Sequence, residues 1–207
     1  MSGCHHHPEA PVDDTRYRQA LVVVLAINAS MFAVEITGGL VGGSVALQAD
    51  ALDFFGDAAT YALSLAVIGS ALRWRAAAAL LKGATMAAFG LWVIGASIHH
   101  ALTGQIPSAA LMSGIGVAAL AANVTSAMIL FRFRSGDSNR RSVWLCTRND
   151  AIGNAAVIVA GGAVFGSNSG WPDVIVALAM GCLALHSAYL VISQARRELS
   201  KQPIELG

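Results

Sequence analysis

The stretch 44–72, SVALQADALDFFGDAATYALSLAVIGSAL, decides how this chain is read. It is apolar enough to lie in a bilayer, yet it carries Asp50, Asp53 and Asp57 within eight residues. A carboxylate at the centre of a membrane helix costs about 2.5–3.5 kcal/mol even on the lenient insertion scale. Three so close together call for a cation, a proton or a partner charge to meet them. On a helix Asp53 and Asp57 stand four residues apart, one turn from each other on one face. Asp50, three residues before Asp53, borders that face.

Composition points the same way. The 207 residues are 56% hydrophobic and 12% charged, where a soluble domain averages about 25% charged. A small soluble helical bundle would need polar faces that this sequence lacks. The net charge of +1 gives nucleic acid no electrostatic footing as a partner. Cys4, Cys146 and Cys182 lie far apart and suggest no disulfide framework. The first twenty residues are polar and the apolar run from Leu21 is too long for a signal core, so no cleaved leader is expected. The expectation is an all-α integral membrane protein.

Six apolar segments approach the ~20 residues a bilayer core requires: 18–42, 45–72, 78–102, 108–133, 142–166 and 172–194. The connections are short, so successive helices should be antiparallel neighbours in a six-transmembrane-helix bundle. Basic residues orient it. Arg16 and Arg18 precede the first span; Arg73, Arg75 and Lys82 surround the second connection; Arg132, Arg134, Arg140 and Arg141 surround the fourth; Arg196, Arg197 and Lys201 follow the sixth. Twelve of the thirteen basic residues therefore fall on one side, which the positive-inside rule makes cytoplasmic, with both termini there. The thirteenth, Arg148, falls inside the fifth span. The organisation expected is a polar cytoplasmic tail at 1–17, a transmembrane domain at 18–195 and a short cytoplasmic tail at 196–207. The first tail carries Cys4, His5, His6 and His7. These form either a simple polar tail or a weak capture site for soft and borderline metals.

The fifth span opens SVWLCTRNDAIGNAAVIVAGG, in which Cys146 and Asp150 again stand four apart and Asn154 continues their stripe. Two helices thus offer two ligating side chains each, the ligand count of a tetrahedral site. Depth agrees. At about 1.5 Å per residue, Asp53 and Asp57 lie about 14 and 20 Å below the outer end of their span. Across a core of about 30 Å, Cys146 and Asp150 lie about 6 and 12 Å above the inner boundary. Antiparallel pairing then sets Asp53 opposite Asp150 and Asp57 opposite Cys146. Taken singly, each has a plainer role, a membrane Asp hydrogen-bonded to a neighbouring helix or a membrane Cys used in packing. The joint pattern of two i,i+4 pairs at overlapping depth is what marks a metal site.

These stretches resemble the cation diffusion facilitator family of proton-coupled divalent metal transporters. SVALQADALDFFGDA is similar to that family's second helix, with Asp53 and Asp57 at its metal-binding positions. CTRNDAIGNAAVIVA is similar to its fifth, with Asp150 matching and Cys146 standing where a His is usual. Asn28 and Glu35 in NASMFAVEITGGLVGGS, and Asp173 after Trp171-Pro172, also fit the family's first and sixth helices. The resemblance covers residues of roughly 20 to 195. It implies secondary active export of Zn²⁺ from the cytoplasm in exchange for protons by alternating access, a homodimer, and a bacterial inner membrane. The transported ion is a substrate; no cofactor is implied. About a dozen residues follow the last span, so a short member without the family's usual cytoplasmic C-terminal domain is expected. The softer thiol of Cys146 should tilt selectivity toward Cd²⁺ beside Zn²⁺, and away from Mn²⁺ and Mg²⁺.

Accessory roles attach to the remaining polar residues. Asn28 and Glu35 share a face of the first span, and Glu35 is a candidate proton relay or passing-ion contact, with helix–helix hydrogen bonding as the alternative. Asp50 is placed as an exit group or bystander, Asn154 beside the ligands, and Arg148 as charge compensation for an Asp₃Cys site. His99 and His100 stand at the outer end of the third span, and Cys182 and His186 form another i,i+4 pair, read as packing. An intramembrane metalloenzyme is disfavoured, because the chain has no HExxH, no GxSxG and no His near the four ligands. A passive cation channel or a non-transporting membrane metal-binding protein is the alternative.

Overall fold

The chain is cut into antiparallel rods by three residues with left-handed backbone: Gly43 at φ 65°, Gly104 at φ 66° and Asn168 at φ 48°. Each follows a helix end and turns the chain at the same side of the molecule, where glycine and asparagine tolerate that conformation best. The computed structural model describes residues 14–66, 72–133 and 138–200; the side chains of 14, 72–76, 78, 138–149, 151, 198 and 200 fall outside that description. The six helices are α1 (Asp14–Gly42), α2 (Val45–Ala66), α3 (Leu72–Thr103), α4 (Ala109–Phe131), α5 (Ser138–Ser167) and α6 (Trp171–Ser200). No strand occurs among the described residues.

The protein is an all-α membrane bundle, and the way its helices meet lipid is uneven. Thr15–Gly42, Ala79–Thr103, Ala109–Phe131 and Trp171–Arg197 are long and apolar enough to cross a membrane, and α5 adds the shorter apolar run Ile152–Ser167. The helix with three aspartates does not qualify by composition, and its packing explains why it need not. Every residue of α2 from Val45 to Leu52 is buried, so neighbouring helices, not lipid, surround that part of it. Lipid instead meets Val41, Leu102 and Phe165, each more than three-quarters exposed.

Packing pairs α1 with α2, α4 with α5 and α3 with α6, and α2 also touches α3, α5 and α6. The main core joins Leu47 and Leu52 of α2 to Val93, Met112, Val157 and Val174 on the other helices. A smaller cluster of Leu21, Val24, Tyr61 and Leu130 closes the opposite end between α1, α2 and α4. Phe55 sits between Phe32 of α1 and Phe89 of α3, with ring centroids 5.6 and 6.2 Å away. In lipid, helices associate through close packing more than through a hydrophobic drive. At Gly161 a Cβ would come within 2.7 Å of Ser113 Oγ and 3.1 Å of Met112 Cβ, so the glycine lets α5 lie directly on α4.

The turn before α2 is the most heavily tied. Ser44 N–H donates to the Gly39 carbonyl at 2.9 Å. Ser44 Oγ accepts from Leu47 N at 3.1 Å, the bond of a helix N-cap. The same hydroxyl donates to Asp173 Oδ1 at 2.6 Å, and Asp173 further accepts from Val45 N at 2.9 Å and Ala46 N at 3.0 Å. A carboxylate from α6 therefore caps α2, where the positive end of the helix dipole favours it. That fixes the N-terminal end of the helix bearing the three aspartates.

Candidate metal site on helices 2 and 5

Asp53 and Asp57 project from one face of α2, as the i,i+4 spacing predicts, and α5 brings Asp150 against them. Asp150 lies within the electrostatic reach of both and within hydrogen-bonding range of Asp57 when one of the two carries a proton. All three are half-buried. Asp53 and Asp150 share a cavity of about 520 Å³ between α2, α5 and α6, otherwise walled by Gly153, Met180 and Ser187 with hydrocarbon side chains such as Val176 and Leu183.

Two contacts fix the Asp57 end. Tyr61, fully buried one turn further along α2, donates its hydroxyl to Asp57 Oδ2 at 2.7 Å. Lys82 of α3 reaches Thr60 with its ammonium, bringing a positive charge next to the α2 segment that ends the site. Tyr61 did not stand out in the sequence, although it lies at the same i+4 spacing from Asp57 that separates Asp53 from Asp57. Gly153 lets the helices close: a Cβ there would stand 3.3 Å from Met180 Cε, 3.7 Å from Asp50 Oδ1 and 3.8 Å from Asp53 Oδ2.

The accessory residues divide. Glu35 and Asp50 are fully buried side by side, and none of their four oxygens has a hydrogen-bond partner in the protein. Two ionised carboxylates cannot donate to each other, but one proton between them makes a hydrogen bond. Asp50 is thus set against α1, one step from the cavity. Asn28 is buried, donating to Val24 O at 2.7 Å while its own Oδ1 is unpartnered. Asn154 is buried with neither amide atom paired. His99 is exposed, and His100 lines a separate outer cavity of about 160 Å³ with Asn168 and Trp171. Cys182 and His186 are exposed, so they face outward from the bundle and do not pack inside it.

The α5 backbone places Cys146 one turn before Asp150, but the side chains of Cys146 and Arg148 lie outside the described residues, as do Cys4, His5, His6 and His7. Among the described residues no three His, Cys, Asp or Glu side chains close on one point tightly enough to hold an ion. What they do form is a set of carboxylates from two antiparallel helices, opening on one cavity inside a membrane bundle. That arrangement places ionisable groups inside an otherwise apolar membrane bundle.

The comparisons with known proteins narrow the class. Residues 21–200 match the model of the cation efflux transmembrane domain, so the chain belongs to the cation efflux family. It is 24% identical over 214 residues to the zinc transporter ZitB of Escherichia coli strain K12, covering 96% of this chain and 68% of that protein. The ZitB zinc transporter of Pectobacterium atrosepticum is likewise 24% identical, over 94% of this chain and 64% of the relative. For that of Yersinia pestis the identity is 24%, with 86% and 62% covered. The chain therefore spans about two thirds of the length of these curated relatives, and its matched part is the membrane domain of a transporter family.

Proposed function

We propose that this chain exports divalent transition metal ions, Zn²⁺ and also Cd²⁺, from the cytoplasm in exchange for protons by alternating access. The observation that carries the reading is the meeting of Asp53, Asp57 and Asp150 from α2 and α5, with Asp53 and Asp150 opening on a shared cavity. Cys146, one turn before Asp150, supplies the fourth ligand. Zn²⁺ as substrate is supported by the relatives, which are named zinc transporters. The cadmium component rests on the thiol, a softer donor than imidazole.

The exchange follows from what these groups can hold. A carboxylate or thiol must lose its proton to bind metal, so loading metal releases protons and protonation expels metal. With Asp₃Cys fully ionised, four negative charges would surround a dication. Arg148 or a retained proton offsets the excess, and the Lys82 ammonium adds positive charge at the Asp57 end. Tyr61 holds Asp57 Oδ2, the way an outer partner orients a ligand. Glu35 and Asp50, without donors in the protein, pass protons between the site and the outer half of the bundle. Export requires the basic connections and both termini to lie in the cytoplasm, the bilayer being the bacterial inner membrane, and the working unit is taken as a homodimer.

Purified protein in liposomes tests this. Zn²⁺ movement should be driven by an imposed pH gradient and lost in Asp57→Ala and Asp150→Ala. Zinc flux indifferent to the gradient would instead make the protein a passive cation channel. Tight zinc binding with no flux would make it a non-transporting metal-binding protein.

A further inference from the structure

We propose that Met180 is a soft, neutral contact for the transported ion and adds to its preference for Cd²⁺ over Zn²⁺ beside the Cys146 thiol. This rests on the reading of α2 and α5 as the cation site and adds a third helix, α6, to it. Met180 is 8% exposed and lines the same cavity as Asp53 and Asp150. Its methyl lies 3.3 Å from the point a Cβ of residue 153 would occupy, and Asp50 Oδ1 and Asp53 Oδ2 lie 3.7 and 3.8 Å from that same point. The tip of the thioether and two carboxylate oxygens thus all lie within 4 Å of one spot. Because residue 153 is glycine, it puts no side chain of its own at that spot.

The rest of the described cavity wall offers no competing soft donor. Val176 and Leu183 are hydrocarbon and Ser187 brings a hydroxyl, so Met180 is the sole sulfur among the described lining residues. Three rotatable bonds let the thioether swing toward an ion held by Asp53 and Asp150 while α6 stays in place. A thioether is uncharged and needs no deprotonation. It can therefore favour a soft ion without adding to the negative charge already gathered there, and without releasing a proton. Carboxylates alone favour hard ions, so the sulfur acts on the ratio of affinities more than on their sum.

The plain alternative is that Met180 only fills space, since it also belongs to the apolar core with Ala177 and Ala184. Met180→Leu separates the two roles, because it keeps the volume and removes the sulfur. Zn²⁺ and Cd²⁺ binding to the full chain in detergent are measured by calorimetry, with cadmium NMR of the loaded protein, for wild type, Met180→Leu and Asp150→Ala. The expected result is a Cd²⁺ affinity lowered by about threefold to tenfold, a Zn²⁺ affinity within about twofold, and a cadmium resonance shifted toward oxygen ligation. The retained Zn²⁺ affinity serves as the check on folding. An unchanged Cd²⁺ to Zn²⁺ ratio with an unmoved resonance, or an equal loss for both ions, would overturn the proposal and leave Met180 as packing. Undiminished binding of both ions by Asp150→Ala would remove the cation site itself, and this inference with it.

Discussion

Helices α2 and α5 and helices α3 and α6 are built from similar amounts of hydrocarbon but solve opposite problems. α3 and α6 are apolar over a full membrane thickness, pack chiefly on each other, and present Leu91, Leu102, Ile175 and Leu183 outward. α2 instead carries three aspartates along its length, and α5 brings Asp150 to the cavity that Asp53 also lines. The difference teaches how a membrane protein keeps carboxylates at depth: their helices are enclosed by others and fixed at the ends. Asp173 of α6 caps α2 at its first turn, and Tyr61 closes the far end against Leu21, Val24 and Leu130.

The contrast can be broken most severely at the ligands. Asp57→Ala and Asp150→Ala should each lower metal affinity by more than about a hundredfold, since losing even an outer partner of a ligand costs about 10–100-fold. Leu91→Ala on α3 should leave binding unchanged in the same calorimetry. Gly153→Val comes next: the added branches would push into Met180 and the Asp50 and Asp53 oxygens, lowering affinity by about tenfold or more while the protein still inserts. Equal binding by Gly153→Val would mean that α5 does not need to close on α2.

Tyr61→Phe sharpens the comparison from the other side. It removes one donor to Asp57 and keeps the buried ring, so metal affinity should fall about tenfold with little change in thermal stability. Asp173→Ala should do the reverse. It leaves Ser44 Oγ and two buried backbone N–H groups without their acceptor, costing about 2 kcal/mol of stability, while affinity in the folded fraction changes only slightly. Guanidine-free thermal melts in detergent, run beside calorimetry, separate the two outcomes. Metal affinity should also weaken steadily as pH falls, because protons and the ion compete for the same oxygens and sulfur.

Much of this was legible in the sequence for reasons that can be named. Apolar runs broken by Gly42-Gly43, Gly104 to Pro107 and Ser167 to Pro172 mark the outer turns, and the left-handed residues sit in or beside them. The i,i+4 spacing of Asp53 and Asp57 puts both on the face that meets α5, because spacing on one helix is local information. Contacts between helices are not local. The capping of α2 by Asp173 joins residues more than a hundred positions apart, and no periodicity encodes it. Met180 lies in an apolar helix where a thioether looks like any hydrocarbon. The Cys182 and His186 pair, matched in spacing to the ligand pairs, faces outward, because a spacing fixes a shared face without saying which way that face turns. The third helix starts at Leu72, and its apolar span starts at Ala79, beside the expected 78.

The central claim is that the carboxylates of α2 and α5 hold either a metal ion or protons. The most direct measurement is Zn²⁺ calorimetry of the purified chain in buffers of differing ionisation enthalpy, which counts protons released per ion bound. The account predicts at least one proton released by the wild type, and loss of both binding and release in Asp150→Ala. Heats identical in every buffer, or an Asp150→Ala protein that binds zinc and releases protons as the wild type does, would contradict it.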